Sequence, residues 1–221
     1  MMQLHGISLS RTAFFHRFMA VGGVVFLVIT LASVNGAAFD DKKDKRGDAE
    51  DSDVKNFGKV NDHIYRGGQP SNKEYTELAA LGIKTVIDLR DEPEKYARRS
   101  AEGAGLRYIN IQLNAKRPPT EAESDKFLQL VNDQRNWPVF VHCAGGRHRT
   151  GVLLAVYRME MDGWDARRAY HEMKDFKFYS SYGYGDMKDF VFGYYDRMMT
   201  RRAAILNPLT KGNHSTAGQG N

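Results

Sequence analysis

Short apolar runs bounded by turn residues alternate along this chain with segments whose apolar residues recur every three or four positions. The first apolar stretch, Phe18–Val34, fits neither pattern. It follows Arg11, His16 and Arg17 and leads into the small residues Asn35-Gly36-Ala37-Ala38. A positive start, an apolar middle and a small-residue end make residues 1–38 a secretory signal peptide, cut after Gly36 or after Ala38. An uncleaved anchor is the competing reading, because the run reaches the short edge of a spanning helix; it would tether the protein to a membrane. In both cases the rest of the chain is expected outside the cytoplasm, with a periplasm the expected compartment.

Residues 39–56 are dense in charge and poor in large apolar groups, which predicts a solvated linker. Residues 204–221, rich in Pro, Gly, Asn and Ser, predict a loose tail. The folded domain is expected over 57–203. Within it, a short strand is expected in Val60–Arg66. Ser71 and Glu74 have capping-box spacing and open a helix with Tyr75, Leu78 and Ala79 on one face, stopped at Gly82. Ile83–Leu89 reads as a buried strand, Glu92–Glu102 as a charged helix and Leu106–Ile111 as a further strand. Thr120 and Glu123 repeat the capping-box spacing ahead of Phe127, Leu130 and Val131.

Pro138–His142 reads as a central strand, followed by a glycine-containing loop and an apolar helix over Gly151–Tyr157. A helix opening near Asp165 places Ala166, Ala169, Tyr170 and Met173 on one stripe. A last helix from about Asp186 is expected to cover the sheet, with the aromatic residues of Phe176–Met199 packed beneath it. Strands alternating with helices predict a single α/β domain with a mostly parallel central sheet flanked by helices.

Charge and cysteine count narrow the chemistry. Formal charge is +5; without residues 1–38, which hold Arg11 and Arg17, 30 basic residues face 27 acidic ones, a net of +3. That mild excess suits an anionic ligand and gives no basis for a nucleic-acid partner. One cysteine, Cys143, excludes an intramolecular disulfide. A lone Cys is ordinarily a small buried hydrophobe, but this one lies in His142-Cys143-Ala144-Gly145-Gly146-Arg147-His148-Arg149-Thr150-Gly151. A loop leaving a buried strand and entering a helix can turn successive N–H groups inward and adds the positive end of the helix dipole, a cradle for a phosphate-sized anion. Inward amides, the helix terminus and Arg149 favour the thiolate, which is the nucleophilic form. Arg149 can grip two phosphate oxygens with its planar fork. Thr150 can donate its hydroxyl to the sulfur. His142 either orients the loop or is a satisfied core histidine.

The stretch His142-Cys143-x5-Arg149-Thr150-Gly151 resembles the signature of protein tyrosine and dual-specificity phosphatases. Ile64–Pro70 and Gly82–Arg90 look like the compact atypical members, so that the resemblance runs over about 58–178. It implies catalysis by Cys143, Arg149 and Thr150 and substrate binding by Ala144, Gly145, Gly146, Arg147, His148 and Arg149. It also implies a phosphocysteine intermediate, no metal or organic cofactor, and a phosphorylated protein or small polyphosphorylated molecule as substrate.

The family's upstream Asp, general acid for the leaving alcohol, has no counterpart in Gln112–Pro119, which contains neither Asp nor Glu. Asp91, Glu92 and Glu121 are the candidates in its place, Glu123 being committed to the helix cap. General acid catalysis is typically worth ~10²–10⁴-fold. Its weakening favours a phenolate or an anhydride as leaving group over a serine alkoxide. Arg147 and His148, both potentially cationic, and Lys116 and Arg117 suit a substrate with several phosphates; alternatively Arg147 and His148 face outward or pair with Asp91. Three alternatives to a tyrosine or dual-specificity phosphatase stay open: an inositol polyphosphate or pyrophosphate phosphatase, a phosphate-binding pseudophosphatase, and a sulfurtransferase.

Overall fold

A computed structural model describes residues 52–206. The expected leader 1–38, most of the linker and the last fifteen residues of the expected tail lie outside the described residues. Five strands form one sheet: β1 (Gly58–Lys59), β2 (Ile64–Gly67), β3 (Thr85–Arg90), β4 (Arg107–Leu113) and β5 (Val139–His142). The spatial order is β1-β2-β5-β3-β4, antiparallel only between β1 and β2. Two-residue β1 is too short to leave a period in the sequence, and only its pairing with β2 reveals it.

The α/β expectation holds, and the caps explain where the helices start. Helix α1 (Asn72–Ala80) carries the Ser71/Glu74 capping box and α3 (Glu121–Asn132) the Thr120/Glu123 box, each with both reciprocal bonds. In α5 (Ala166–Asp175) the Asp165 carboxylate accepts the Arg168 N–H. Helix α2 covers only Ala97–Gly103, five residues short of the expected start. Pro93 disfavours helical backbone in the residue before it, and Arg90 draws Glu94 into an ion pair at 2.8 Å.

Because side chains alternate along a strand, β5 sends Val139 and Val141 to one face and Phe140 and His142 to the other. The first face packs Ile87, Leu89 and Ile111 against Phe127 and Val131 of α3 and Leu153 and Leu154 of α4 (Arg149–Met161). The second packs Val86, Tyr108 and Phe140 against Tyr75 and Leu78 of α1 and Ala97 and Ala101 of α2. Helix α4 is buried almost all round, as a helix apolar on every side must be. Its outward face, Val152, Ala155, Val156 and Met159, carries α5 and α6 (Gly185–Leu206) through Ala169, Met173, Met187, Val191 and Tyr194. So α6 does not cover the sheet; it closes a third layer over α4 and α5.

Both expected domain edges move outward. Helix α6 continues to Leu206, three residues into the expected tail. At the other end Val54 is buried, and the Lys55 carbonyl accepts the Gly68 N–H at 2.7 Å. The end of the expected linker is thus built into the domain. Among the described residues no helix is long and apolar enough to cross a membrane.

Candidate active site

The C-terminal ends of the four parallel strands converge, the usual ligand-binding edge of an open α/β sheet. The loop Cys143–His148 leaves β5 there and enters α4 at Arg149. Strand β2 ends at Gly67 opposite His142, and β3 continues to Asp91. Close approach dictates the glycines. Gly146 has φ +66°, and a Cβ there would lie 2.5 Å from the Gly67 carbonyl and 2.8 Å from the Gly68 nitrogen.

The loop's carbonyls are held one after another by donors from outside it. The His142 Nδ1 lies 3.4 Å from the Cys143 oxygen, and the Gln69 N–H donates to the Ala144 oxygen at 3.2 Å. The Asn56 amide donates to the Gly145 and Gly146 oxygens at 3.3 and 3.0 Å, and Arg66 to the Gly146 oxygen at 2.9 Å. In a trans peptide N–H and C=O point opposite ways. Pulling these carbonyls outward therefore turns the N–H groups of residues 144–147 the other way, and Gly145 N–H bonds the Cys143 sulfur.

Cys143 is 4 % exposed. Burial by itself pushes its thiol up. The Thr150 hydroxyl and N–H, the Arg149 guanidinium and the Gly145 N–H outweigh it, and the thiol sits below its ordinary value. The Thr150 hydroxyl has no other partner. His142 is fully buried, and burial holds it below its ordinary pKa, so the ring is neutral. Nearby Asp88 accepts from the Tyr108 hydroxyl at 2.6 Å and from the Arg90 N–H at 2.9 Å.

Above Cys143 opens a cavity of about 330 Å³. Cys143, Ala144, Gly145, Arg147, His148 and Arg149 line it, joined by Ala115, Tyr179 and Tyr184 and by Lys55. No Asp or Glu does. Arg149 donates to Asp91 Oδ1 at 2.7 Å and to the Leu113 carbonyl at 3.1 Å. So Asp91 pairs with Arg149, leaving Arg147 and His148 without the pairing considered for them. Although burial opposes it, the Asp91 carboxyl lies below its usual range through N–H bonds and Arg149. Held ionised at neutral pH, it carries no proton to donate. Glu92 is exposed, and Glu121 is tied to Arg197 at 2.9 Å and to Arg201 on α6. Glu123 caps α3 and grips Arg117 through two bonds, and Arg117 is not among the residues that line the cavity.

His148 corrects the sequence expectation of a cation. Its ring stacks on Tyr184 at 3.6 Å and 9°, and burial, aided by Arg147, Lys116 and Arg149, lowers its pKa to about 4. Lys116 lies over the Tyr184 ring at 3.9 Å and donates to the Tyr182 carbonyl at 2.9 Å. The aromatic cluster therefore divides: Phe178 and Tyr194 are core, whereas Tyr179 and Tyr184 wall the cavity. Sequence reasoning missed Lys55, Asn56, Ala115 and these two tyrosines as site residues, and Arg66 as a group behind the loop. Among the described residues no cluster of His, Cys, Asp or Glu is placed to hold a metal ion.

Known proteins resemble this chain in sequence and fold. A family model described as "DSP-PTPase phosphatase fused to NAD+ kinase" matches residues 38–184. The dual specificity protein phosphatase TpbA of Pseudomonas aeruginosa is 28% identical over 135 residues, 61% of this chain and 57% of TpbA. The inositol diphosphatase DSP5 of Arabidopsis thaliana is 32% identical over 114 residues, 49% of this chain and 55% of DSP5. The chain thus spans little more than half the length of these two relatives. The crystal structure of P. aeruginosa TpbA superposes with a TM-score of 0.57 at 28% identity, over 67% of this chain and 91% of that one.

Proposed function

This chain belongs to the DSP-PTPase phosphatase family, and from that premise we propose that it hydrolyses phosphomonoesters through a phosphocysteine on Cys143. The observation that carries this is the buried Cys143, its thiol lowered by Thr150, Arg149 and Gly145, on the floor of a cavity edged by inward N–H groups. The thiolate attacks phosphorus, the P–S bond forms, and the P–O bond breaks with its electron pair leaving on the alcohol oxygen. Arg149 and the loop N–H groups hold the phosphoryl oxygens in both steps, which is where preorganised donors act most strongly. Water then attacks phosphorus and releases inorganic phosphate. The departing sulfur takes back its electron pair, and the Thr150 hydroxyl stabilises it.

Among the described residues no carboxylate lines the cavity, and the proposed proton source for the leaving oxygen is water. Substrates with stable leaving groups are favoured for that reason, and phosphotyrosine comes first. TpbA, a structural relative, has been crystallised in complex with phosphotyrosine. Lys55 and Arg147 on the cavity support a second reading, a phosphoanhydride on a small polyphosphorylated molecule, the class the name of DSP5 indicates. Turnover of a phosphotyrosine peptide and of an inositol pyrophosphate by the full-length protein, with and without Lys55→Ala, separates the two. A several-fold loss in kcat/KM confined to the pyrophosphate supports the second reading. Peptide turnover indifferent to Lys55 supports the first, and no turnover of either defeats both.

Export belongs to the same proposal and rests on the apolar run Phe18–Val34 with its basic start. N-terminal sequencing of the mature protein tests it. A start at Ala37 or Phe39 supports cleavage, a start at Met1 in a membrane fraction supports the anchor, and a start at Met1 in the cytoplasm rules export out.

A further inference from the structure

Two side chains that do not line the cavity act on the loop that forms it. One amide of Asn56 donates to three carbonyls, those of Gly145, Gly146 and Phe176. Asn56 has φ +57°, a backbone region that Asn tolerates better than most residues. Arg66 on β2 is 0 % exposed, donates to the Gly146 oxygen at 2.9 Å and sets its guanidinium carbon over the Phe176 ring, 3.7 Å from the centroid. Gly58 leaves room for that ring, since a Cβ there would meet it at 2.5 Å.

These contacts are unusual for their location. A buried guanidinium ordinarily finds partners for its donors, yet Arg66 Nε and one terminal nitrogen have none. Burial lowers its pKa to about 10, so it stays charged at neutral pH, and Glu172 and Cys143 favour that charge. Nothing about the sheet requires a cation here: Ile64, two positions earlier on the same face of β2, is an ordinary core residue. What Arg66 shares with Asn56 is one acceptor, the Gly146 oxygen.

We infer that Asn56 and Arg66 are positioning residues that turn the Gly146 and Arg147 N–H groups toward a phosphate held over Cys143. Asn56 fixes the peptide units that carry both N–H groups. Arg66 fixes the second of them again and sets a permanent positive charge behind the nucleophile. The inference rests on the proposed phosphatase reading and adds residues from outside the loop to its anion-binding apparatus. Placed in advance, the donors need no reorganisation when charge arrives on the phosphoryl oxygens.

The test uses full-length protein carrying Asn56→Gly, which suits the positive φ and removes the amide, and Arg66→Gln, which keeps a donor and removes the charge. Inorganic phosphate affinity, the pH midpoint of Cys143 alkylation by iodoacetamide and the urea unfolding midpoint are measured on each. Asn56→Gly is expected to weaken phosphate binding about tenfold, from one charge-assisted bond lost or misaligned, and to lower kcat/KM with it. Arg66→Gln is expected to raise the alkylation midpoint by about one unit, as loss of a nearby opposite charge does. Phosphate affinity within twofold of wild type in folded Asn56→Gly overturns the inference, and decides alone should Arg66→Gln not fold. So does a pair of variants that lose stability with affinity and alkylation midpoint unchanged, since that is scaffolding. Failure of the wild type itself to turn over substrate would defeat the phosphatase reading instead.

Discussion

Replacing Gly146 by Ala puts a methyl group where the backbone of β2's end already lies. The new Cβ would sit 2.5 Å from the Gly67 carbonyl carbon and oxygen and 2.8 Å from the Gly68 nitrogen, against the 3.4 Å at which ordinary contact begins. Those neighbours are backbone, so no side-chain rotation relieves the overlap. The φ of +66° adds a left-handed conformation that Ala resists. The conformation costs about 1–3 kcal/mol and overpacking typically about 1–3 kcal/mol, together roughly 2–6 kcal/mol of a total near 5–15 kcal/mol. Relief requires the Gly146 unit to withdraw by nearly an ångström, and displacement of that size costs on the order of 10²-fold in rate. Urea unfolding and p-nitrophenyl phosphate kinetics read both effects. Gly146→Ala is expected to lower stability by at least ~2 kcal/mol and kcat/KM by roughly 100-fold. Stability within ~0.5 kcal/mol of wild type, with rate within about threefold, would refute the claim that this contact sets the loop's shape.

Thr150→Ala removes a hydroxyl donor to the thiolate, a bond to a charged group worth about 1.5–3 kcal/mol. It is expected to raise the alkylation midpoint of Cys143 and to slow hydrolysis of the phosphocysteine ten- to a hundredfold, seen as a burst in rapid-quench kinetics. His148 has a folded pKa of about 4 against an ordinary 6.5, so folding favours its neutral form. The stability this confers is fully present above pH 6.5 and is lost as pH falls toward 4, by at most ~3 kcal/mol; His148→Gln should flatten that part of the pH–stability curve. Glu123, lowered to about 2 chiefly by Arg117, contributes stability that is present above pH 4.5 and lost as pH falls through 2. Glu123→Gln should remove that acid limb without moving kcat/KM.

Much of the fold was legible because its determinants are local. Ser71 with Glu74, Thr120 with Glu123, and Asp165 each announce a helix start within four residues. The run PVFVH followed by Cys143-x5-Arg149 announces strand, loop and helix together. What escaped depends on partners far away in sequence. Lys55 and Asn56 sit in a charged stretch whose composition reads as solvated, and only their contacts with Gly68, Gly145 and Gly146, about ten and ninety residues on, reveal them. His148 reads as a cation until Tyr184 stacks on it from the α5–α6 connection. Asp91 reads as a free acid until Arg149 reaches it across the sheet end. The place of α6 escaped because an apolar α4 fits equally well beneath a sheet or between layers.

The central claim is that Cys143 is the nucleophile of a phosphatase. Its most direct test is p-nitrophenyl phosphate hydrolysis by the reduced full-length protein, in chelator, beside Cys143→Ser. This leaving group needs little protonation, so the lack of a carboxylate among the described residues that line the cavity cannot mask a working nucleophile. Chelator-resistant turnover that disappears in Cys143→Ser is the predicted result. A folded, reduced wild type that binds phosphate without turning over substrate would contradict the account and leave a phosphate-binding protein in its place.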